Sequence, residues 1–369
     1  MKSIGSVSIT RSLTLVNPFT HNRIIYGTML ATLAFVGPMV YAAQNSRPLQ
    51  PNEHQLNIPG ATTIEAPPAG FDPINASDEE LQYHGFVPRP NQATQPQAYA
   101  SWVRAMQHSK TRVVPSLEQT AIFHGPAKPV KLADPAGAAS NAVLSLEPSN
   151  TQYSSNWSGY VNLSGAGSYG LTSFNYIGSD MVVPVAKQYG CDGGWDWGSE
   201  WNGIDGWHSA DVLQAGVEFD AYCSGSYKSS YYSAWYEWYP YGEVRISSLP
   251  VTAGDDVFVS VWHSSPTQGY TYIVNYNTNQ YVQIGFTADP AYPLIGNSEE
   301  WVVERPIVGG SLTNLTDYSF VPFWGLFSYT DGGVDYSLTT AFPVDMEVGT
   351  TLYSAVQSLG PYGFVAQYY

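Results

Sequence analysis

From Tyr153 onward, the chain alternates apolar and polar residues over short stretches that are separated by Gly, Pro, Asn and Asp. Three of these stretches, Val257–Trp262, Tyr270–Tyr276 and Tyr281–Phe286, are rich in β-branched and aromatic residues. Successive side chains of a β-strand point to opposite faces, so the alternation predicts strands, and no stretch here keeps a helical period. Many short strands at this spacing predict an all-β domain, a two-sheet antiparallel β-sandwich.

Residues 43–150 follow a different pattern. They are rich in Pro, Gln and Ala, with one helix-like stretch around Gln97–Gln107, and residues 127–149 combine Pro, Ala and Ser as linkers do. They also contain seven of the Lys and Arg residues of the chain. A partly extended, nearly neutral segment ahead of an acidic domain indicates a propeptide and linker, with a disordered spacer as the alternative.

The first 42 residues have the pattern of an export signal. Lys2, Arg11 and Arg23 precede an apolar run from Ile24 to Val40, and cleavage is predicted after Ala42. The run has 17 residues, fewer than the ~20 that span a bilayer, so a retained membrane anchor is the less favoured alternative. We therefore predict a secreted protein with a signal peptide at 1–42, a propeptide and linker at 43–150 and a β-sandwich domain at 151–369.

The acidic charge of the chain lies in the β-rich part. The formal net charge is −16. Residues 1–149 carry ten Lys/Arg and nine Asp/Glu, whereas residues 150–369 carry four Lys/Arg and twenty-one Asp/Glu. This field repels nucleic acid and anionic membranes, so we expect neither as a partner once the signal peptide is cleaved. At about pH 3 most carboxyls are protonated, and the few Lys and Arg residues leave this part with only a small positive charge, so the composition favours a protein that functions in acid. A solubilising acidic surface is the alternative interpretation.

The two cysteines, Cys191 and Cys223, both lie in the acidic part of the chain. They could pair in an oxidising compartment, and a bridge over this separation would stabilise the fold by about 3–4 kcal/mol through loop closure. Two free buried thiols are the alternative.

Two predicted strands carry amide, carboxyl and aromatic side chains on one face. In Leu213–Asp220 and in Ser233–Tyr239, every second residue is apolar and belongs to the opposite face. The polar faces present Gln214, Gly216, Glu218 and Asp220 on the first strand and Trp235, Glu237 and Tyr239 on the second. In a third stretch, Glu299–Glu304, the side chains of Glu300 and Glu304 would lie on one face and those of Trp301 and Val303 on the other. Carboxyls that alternate with large aromatics favour a binding groove over an ordinary solvent-facing side.

Other catalytic devices have little support in the sequence. His208 and His263 are the only histidines after residue 150, and they do not have the spacing of zinc ligands. The sequence after residue 150 also has no nucleophile-elbow motif and no Asp-Thr-Gly motif. The aspartates between Asp192 and Asp211 do not have the spacing of an EF-hand, so we interpret them as a solvated acidic loop rather than a calcium site. We expect no metal and no cofactor.

Five motifs occur in one order along the acidic part. They are Asn156–Val161 (NWSGYV), Trp201–Gly206 (WNGIDG), Leu213–Gly216 (LQAG), Ala234–Pro240 (AWYEWYP) and Glu300–Glu304 (EWVVE). Together they resemble the glutamic peptidases, or eqolisins, the peptidase G1 family of acid endopeptidases. The resemblance implies a concanavalin-like two-sheet sandwich that is made as a precursor with a signal peptide and a propeptide.

The resemblance also implies roles for single residues. The catalytic pair falls on Gln214 and Glu300, with Glu300 as the general base and acid on water and Gln214 as the oxyanion donor. The positions that match the lining or support of the family's cleft are Trp201, Asp205, Glu218, Trp235, Glu237 and Tyr239. We therefore expect protein and peptide substrates and a monomeric enzyme. Its own propeptide would act as an inhibitor that acid releases when carboxyls are neutralised.

Two other functions use the same residues. Glu237 and Glu300 could be the two carboxyls of a retaining glycoside hydrolase, with the Trp and Tyr side chains stacked on sugar rings. A non-catalytic carbohydrate-binding module would use the same aromatic side chains as a platform.

Overall fold

A computed structural model describes residues 48–129 and 151–369. The predicted signal peptide and most of the predicted linker lie outside these residues. The described helices are α1 (Asp78–Tyr83) and α2 (Pro96–His108). The described strands are β1 (Glu53–Gln55), β2 (Ala61–Ile64), β3 (Thr111–Arg112), β4 (Leu117–Gln119), β5 (Ile122–Phe123), β6 (Gln152–Ser154), β7 (Trp157–Leu163), β8 (Phe174–Val182), β9 (Asp192–Asp196), β10 (Ser199–Ile204), β11 (Val212–Ser224), β12 (Tyr227–Tyr239), β13 (Val244–Ile246), β14 (Asp256–Ser265), β15 (Gln268–Asn275), β16 (Gln280–Thr287), β17 (Ser298–Glu304), β18 (Ile307–Val308), β19 (Ser311–Leu312), β20 (Phe320–Thr330), β21 (Asp335–Tyr336), β22 (Phe342–Val348), β23 (Thr351–Ser358) and β24 (Gly363–Tyr368).

The long strands form one antiparallel path of hydrogen-bonded neighbours that folds back on itself. The front sheet has the order β13-β12-β11-β10-β17-β7-β22. Strands β23 and β24 continue from β22 to the back sheet, which has the order β20-β8-β14-β15-β16. Strands β8 and β14 of the back sheet lie across from β10 and β11 of the front sheet. The predicted two-sheet antiparallel sandwich is confirmed.

The main hydrophobic core lies between the two sheets and contains the apolar faces that the alternation predicts. From the front sheet these faces contribute Leu213, Ala215, Val217 and Phe219 of β11, Tyr236 and Trp238 of β12, and Trp301 and Val303 of β17. Each fully buried large apolar side chain of this kind stabilises the fold by about 1.5–3 kcal/mol. The opposite faces of the same three strands therefore point away from this core.

Residues 48–115, here called the helical part, pack on the outer face of the back sheet. The predicted helix around 97–107 is confirmed as α2, which Pro96 begins. Its apolar stripe, which includes Trp102 and Met106, packs with Phe258 and Tyr272 of the back sheet in a second hydrophobic cluster. Strands β2 and β3 extend the same sheet by pairing with β16. The disordered-spacer alternative is wrong for these residues, because their apolar stripe has a sheet face to cover.

Residues 120–128, here called the cleft arm, cross the polar face of the front sheet. Strand β4, just before the arm, pairs with β13 at the sheet edge, and β5 within the arm pairs with β18. Farther along, the Ala127 N–H donates to the Gly206 carbonyl at 3.1 Å and the Lys128 N–H donates to Asn156 Oδ1 at 2.8 Å. The arm therefore covers the face on which the sequence predicts a groove.

Cys191 and Cys223 are joined by a disulfide, with their Cα atoms 4.5 Å apart. The bridge lies at the end of β11 that is remote from Gln214, where β9 pairs with β11. In the part of the chain that the structure describes, no helix is long and apolar enough to cross a membrane.

Candidate active site

Three neighbouring strands of the front sheet place Gln214 and Glu300 in one row. Gln214 of β11 lies opposite Gly203 of β10, and Gly203 lies opposite Glu300 of β17. Directly opposite residues project to the same face of a sheet, so the amide and the carboxyl both point into the cleft. With strands about 4.8 Å apart, the two backbones are separated by about 10 Å. Because Gly203 has no side chain, no Cβ atom stands between the two groups.

Gly203 matters to the shape of this row. A Cβ atom added to it would lie 2.7 Å from Cζ3 of Trp201, closer than real Cβ contacts allow. Trp201 is two residues earlier on the same face of β10, and its indole leans over the glycine. A side chain at residue 203 would displace this indole and fill the gap between Gln214 and Glu300.

The other predicted cleft residues of the three strands lie in the rows beside this pair. Glu237 of β12 is directly opposite Gln214. The next row along the sheet consists of Trp235, Gly216, Trp201 and Val302, and the row after it consists of Ser233, Glu218, Ser199 and Glu304. The structure therefore brings Trp201, Glu218, Trp235 and Glu237 to the same face as Gln214 and Glu300. Tyr239 lies at the edge of this face, where a Cβ atom on Gly125 would be 3.3 Å from its ring.

Glu300 is fully buried, and neither of its carboxyl oxygens has a hydrogen bond of normal geometry among the described residues. Burial raises the pKa of Glu300 well above its ordinary value, and the neighbouring carboxyls of Asp205 and Glu299 raise it further. The Ser298 hydroxyl opposes this effect weakly. Burial and the two neighbouring carboxyls therefore favour the neutral form of Glu300.

Asp205 supports the start of β17 rather than lining a solvated loop. Its Oδ2 accepts the N–H groups of Ile295 at 2.8 Å and Gly296 at 3.0 Å, and its Oδ1 accepts that of Asn297 at 2.8 Å. The residue is fully buried and has a φ of 68°. The interpretation of this acidic stretch as solvated is wrong for Asp205, because three backbone donors replace its water. These bonds fix the loop from which β17 leads to Glu300.

The arm places a peptide group directly on Gln214. Gln214 Nε2 donates a hydrogen bond to the backbone carbonyl of His124. The N–H of His124 donates to Glu237 Oε2 at 2.8 Å. Gln214 Oε1 accepts no hydrogen bond from the described residues. Two predicted cleft residues thus bind the main chain of His124 on both of its polar sides.

The arm continues across the cleft through contacts with the first sequence motif. Trp157 Nε1 donates to the Gly125 carbonyl at 3.1 Å, and Asn156 Nδ2 donates to the Pro126 carbonyl at 3.2 Å. These bonds are made by side chains of the sandwich to the backbone of the arm. Such contacts bind an extended peptide with little regard to its side chains.

The imidazole of His124 is fully buried in a pocket of carboxyl groups. Its Nε2 lies 3.2 Å from Glu243 Oε2 and 3.3 Å from Glu218 Oε2, and its Nδ1 lies 3.5 Å from Glu304 Oε2. Its ring stacks on the indole of Trp235 with the centroids 3.8 Å apart and the planes 10° from parallel. Burial lowers the pKa of His124, but hydrogen bonds to the three carboxyls outweigh it and raise the pKa well above its ordinary value. The ring is therefore an imidazolium.

Sequence reasoning missed three residues of this site. His124 lies in the predicted propeptide, and its link to the cleft depends on a chain path that local patterns do not specify. Glu243 follows the Ala-Trp-Tyr-Glu-Trp-Tyr-Pro string outside any motif. Glu304 ends the last motif and shares a predicted face with Glu300, which is the one signal that pointed to it.

With this geometry, comparison with known proteins is decisive for the family. A sequence model of the Peptidase A4 family matches residues 155–368. The chain belongs to this family. The peptidase is 31% identical to Aspergillopepsin-2 of Aspergillus niger over 210 residues, which are 54% of this chain and 72% of that protein. It is 31% identical to Scytalidopepsin B of Scytalidium lignicola over 170 residues, 46% of this chain and 58% of that protein.

Solved structures of glutamic peptidases are also similar to this peptidase. Scytalido-glutamic peptidase with a peptide-based transition-state analogue has 25% identity and a TM-score of 0.48, over 58% of this chain and 98% of that chain. Aspergilloglutamic peptidase from Aspergillus niger has 29% identity and a TM-score of 0.43, over 47% and 99%. The family match makes the protein a hydrolase, a glutamic-type endopeptidase. The helical part and the cleft arm precede the matched residues.

Proposed function

We propose that the protein is a secreted acid endopeptidase in which Gln214 and Glu300 hydrolyse the peptide bond. One observation carries the proposal: Gln214 donates to a peptide carbonyl in the cleft, in the same row as the Glu300 carboxyl and one glycine away from it. A substrate carbonyl bound in this way would have an amide donor on its oxygen and a carboxyl beside it.

The reaction follows from these two groups. Ionised Glu300 takes a proton from water, whose oxygen attacks the carbonyl carbon of the scissile bond. The Gln214 amide donates to the oxyanion of the tetrahedral intermediate, and its Oε1 can orient the attacking water. Glu300 then returns the proton to the amide nitrogen, and the C–N bond breaks to give a free acid and a free amine. Because Gln214 does not titrate, it donates at any acidic pH.

The cleft arm supports the proposal that the precursor is inactive. The arm fills the place of the substrate, and burial is the largest cause of the raised pKa of Glu300. A neutral Glu300 cannot accept a proton from water. Covering the cleft therefore blocks substrate binding, and water that enters an open cleft would hydrate Glu300 and lower its pKa.

The pKa shifts argue against the expected release of the arm by acid alone. Burial is the largest cause that raises the pKa values of Glu218, Glu237 and Glu304 above their ordinary values. His124 of the arm opposes this rise, but the pKa values stay raised, so the folded chain binds these protons more tightly than the unfolded chain and acid does not unfold it. We propose that the arm is removed by cleavage of the chain rather than by titration of these carboxyls.

The two alternative functions receive less support. Glu237 and Glu300 are three strands apart in the front sheet, about 14 Å between backbones. Retaining glycosidases hold their carboxyls about 5–5.5 Å apart, and inverting ones about 6.5–9.5 Å apart. A carbohydrate-binding module would not need an amide and a carboxyl buried in one row.

The proposal is tested by digestion of a protein substrate between about pH 2 and pH 7. Removing the amide in Gln214→Ala is expected to reduce kcat at least ~100-fold, as for other oxyanion donors. Glu300→Gln removes the base and is expected to lose ~100-fold or more. The control is Gln367→Ala, an exposed glutamine on β24. Full proteolysis by Gln214→Ala would remove that residue from the mechanism.

A further inference from the structure

The pocket that receives the His124 ring is built by the sandwich and not by the arm. Glu218 lies on β11, Glu243 lies just before β13 and Glu304 lies on β17, while Trp235 of β12 provides the flat wall. We call these four residues the acidic pocket. Their side chains are fully buried. The pocket would therefore remain, with its carboxyls uncovered, after the arm has left the cleft.

Each carboxyl of the acidic pocket is held in place by the sandwich or by the guest ring. Glu304 accepts from Trp201 Nε1 at 3.0 Å and from Asn156 Nδ2 at 3.2 Å. Glu243 has Arg245 Nε at 3.8 Å, but that guanidinium also lies over the Tyr231 ring, 4.7 Å from its centroid. Apart from Arg245, His124 is the one cationic side chain among the described residues within ion-pair distance of the pocket. The pocket is thus electrostatically incomplete without a cationic guest.

The position of the His124 main chain indicates which substrate residue would place its side chain in the acidic pocket. The His124 carbonyl accepts from Gln214, the proposed oxyanion donor, and its side chain leads into the acidic pocket. The residue whose carbonyl is attacked is the one on the N-terminal side of the scissile bond. A substrate bound like the arm would place the side chain of that residue between the carboxyls.

The shape of the pocket adds a second requirement. The imidazole lies 3.8 Å from the Trp235 indole and nearly parallel to it, so the guest must be planar on that side. A cation over an indole face is attracted by the negative face of the ring, and a planar cation can stack and bond carboxyls in its own plane at the same time.

We propose that the acidic pocket is a specificity subsite for a planar cationic side chain, foremost protonated histidine, on the N-terminal side of the scissile bond. His124 occupies this subsite as the chain's own pseudo-substrate. The inference rests on the proposed function, because it uses Gln214 to define the reacting carbonyl.

The charge on both partners sets the pH range of this preference. The titratable groups that face the guest are Glu218 and Asp220 from β11, Glu237 from β12, Glu243 and Arg245 beside and on β13, and Glu304 from β17. A free histidine is cationic below about pH 6.5, and ordinary glutamates are ionised above about pH 4.3. Burial raises the pKa values of Glu218 and Glu304, and the hydrogen-bonded cationic ring opposes this rise when it occupies the pocket. The preference for histidine should therefore be strongest at about pH 5 and weaken toward about pH 3.

The closing experiment compares peptides that differ only at the residue before the cleaved bond, which is His, Asn or Leu. Wild-type full-length chain is incubated in acid until the arm has been cleaved from it, and is then assayed at about pH 5. We expect kcat/KM for the His peptide to exceed that for the Asn peptide by about tenfold, mostly through KM, since one charge-assisted contact is worth about 1.4 kcal/mol or more. Glu243→Gln should bring the ratio to within about twofold, whereas Asp192→Asn, an exposed carboxylate on β9, should leave it unchanged.

The outcomes separate this inference from the proposed function. Cleavage of all three peptides with no preference for His, in wild type and Glu243→Gln alike, would overturn the subsite while leaving the peptidase intact. Absence of cleavage of any peptide would count against the proposed function.

A binding measurement that needs no turnover completes the test. In His124→Ala, imidazole should raise the thermal unfolding midpoint of the full chain at about pH 5, whereas pyrazole, a neutral ring of the same shape, should not. His124→Gln serves in the same assay if the alanine variant does not fold. Equal effects of the two rings would contradict a cation site. Loss of wild-type stability on adding EDTA would do so too, because it would mean that a metal ion joins His124 to the carboxyls.

Discussion

The helical part and the cleft arm belong to one continuous segment, yet they bind opposite faces of the sandwich by different chemistry. The helical part buries Trp102 and Met106 against aromatic side chains of the back sheet, and its partly exposed Arg104 pairs with the buried Asp180. The arm places His124 among carboxyls of the front sheet and is bound largely through its backbone. Apolar burial attaches the segment with little dependence on pH, whereas the arm is recognised as a peptide would be.

The comparison predicts that the helical part provides the larger share of the segment's stability. Trp102→Ala leaves a cavity between α2 and the back sheet and should lower the free energy of unfolding of the full chain by about 3–5 kcal/mol. Urea unfolding at about pH 5 and pH 7.5 should give the same loss at both values, because no charge is removed. Val114→Ala, at an exposed valine of the same part, is the matched control. A loss below about 1 kcal/mol would mean that α2 is not anchored in this way.

His124→Ala should act on the arm and should depend on pH. Removing the buried imidazolium leaves the carboxyls of the acidic pocket uncompensated, which costs about 3 kcal/mol when they are ionised. At about pH 5 the loss should be smaller, because the raised pKa values of Glu218 and Glu304 allow them to take up protons. The same urea experiment checks this, and equal losses at both pH values would contradict the assignment of charge to the pocket.

The wild-type full chain should be more stable in mild acid than at neutral pH. The pKa values of His124, Glu237 and Glu300 are all raised in the folded state. The folded chain then binds more protons than the unfolded chain, so stability falls as the pH rises above the ordinary carboxyl pKa of about 4.3 toward the raised values. The thermal midpoint should be higher at about pH 5 than at pH 7.5 by about 5 °C. A higher midpoint at pH 7.5 would reverse the sign of this linkage.

Opening the disulfide should have the smallest effect on the cleft. Cys191→Ser combined with Cys223→Ser should lower stability by about 2–4 kcal/mol through the unfolded state. The bridge is at the far end of β11 from Gln214. Peptide hydrolysis per folded molecule should therefore stay within about twofold of wild type, since oriented groups lose rate only when they are displaced. A loss of tenfold or more would show that this end of β11 controls the row of Gln214 and Glu300.

The fold and much of the cleft could be predicted from the sequence because a strand has a period of two. That period alone separated Gln214 and Glu218 from Leu213 and the rest of the core face. It could not tell which distant segment covers the polar face, because the partner of a face is set by chain topology. His124 was missed for this reason, and Asp205 was misread because backbone donors, invisible in a sequence, replace its water.

The central claim is that the arm lies in the catalytic cleft as a pseudo-substrate anchored by His124. The most direct measurement is the progress curve of peptide hydrolysis by freshly purified full chain at about pH 4.5, comparing wild type, His124→Ala and Val114→Ala. Wild type and Val114→Ala should hydrolyse the peptide only after a lag, and His124→Ala should start with a much shorter lag or none. The same lag in all three proteins would contradict the claim.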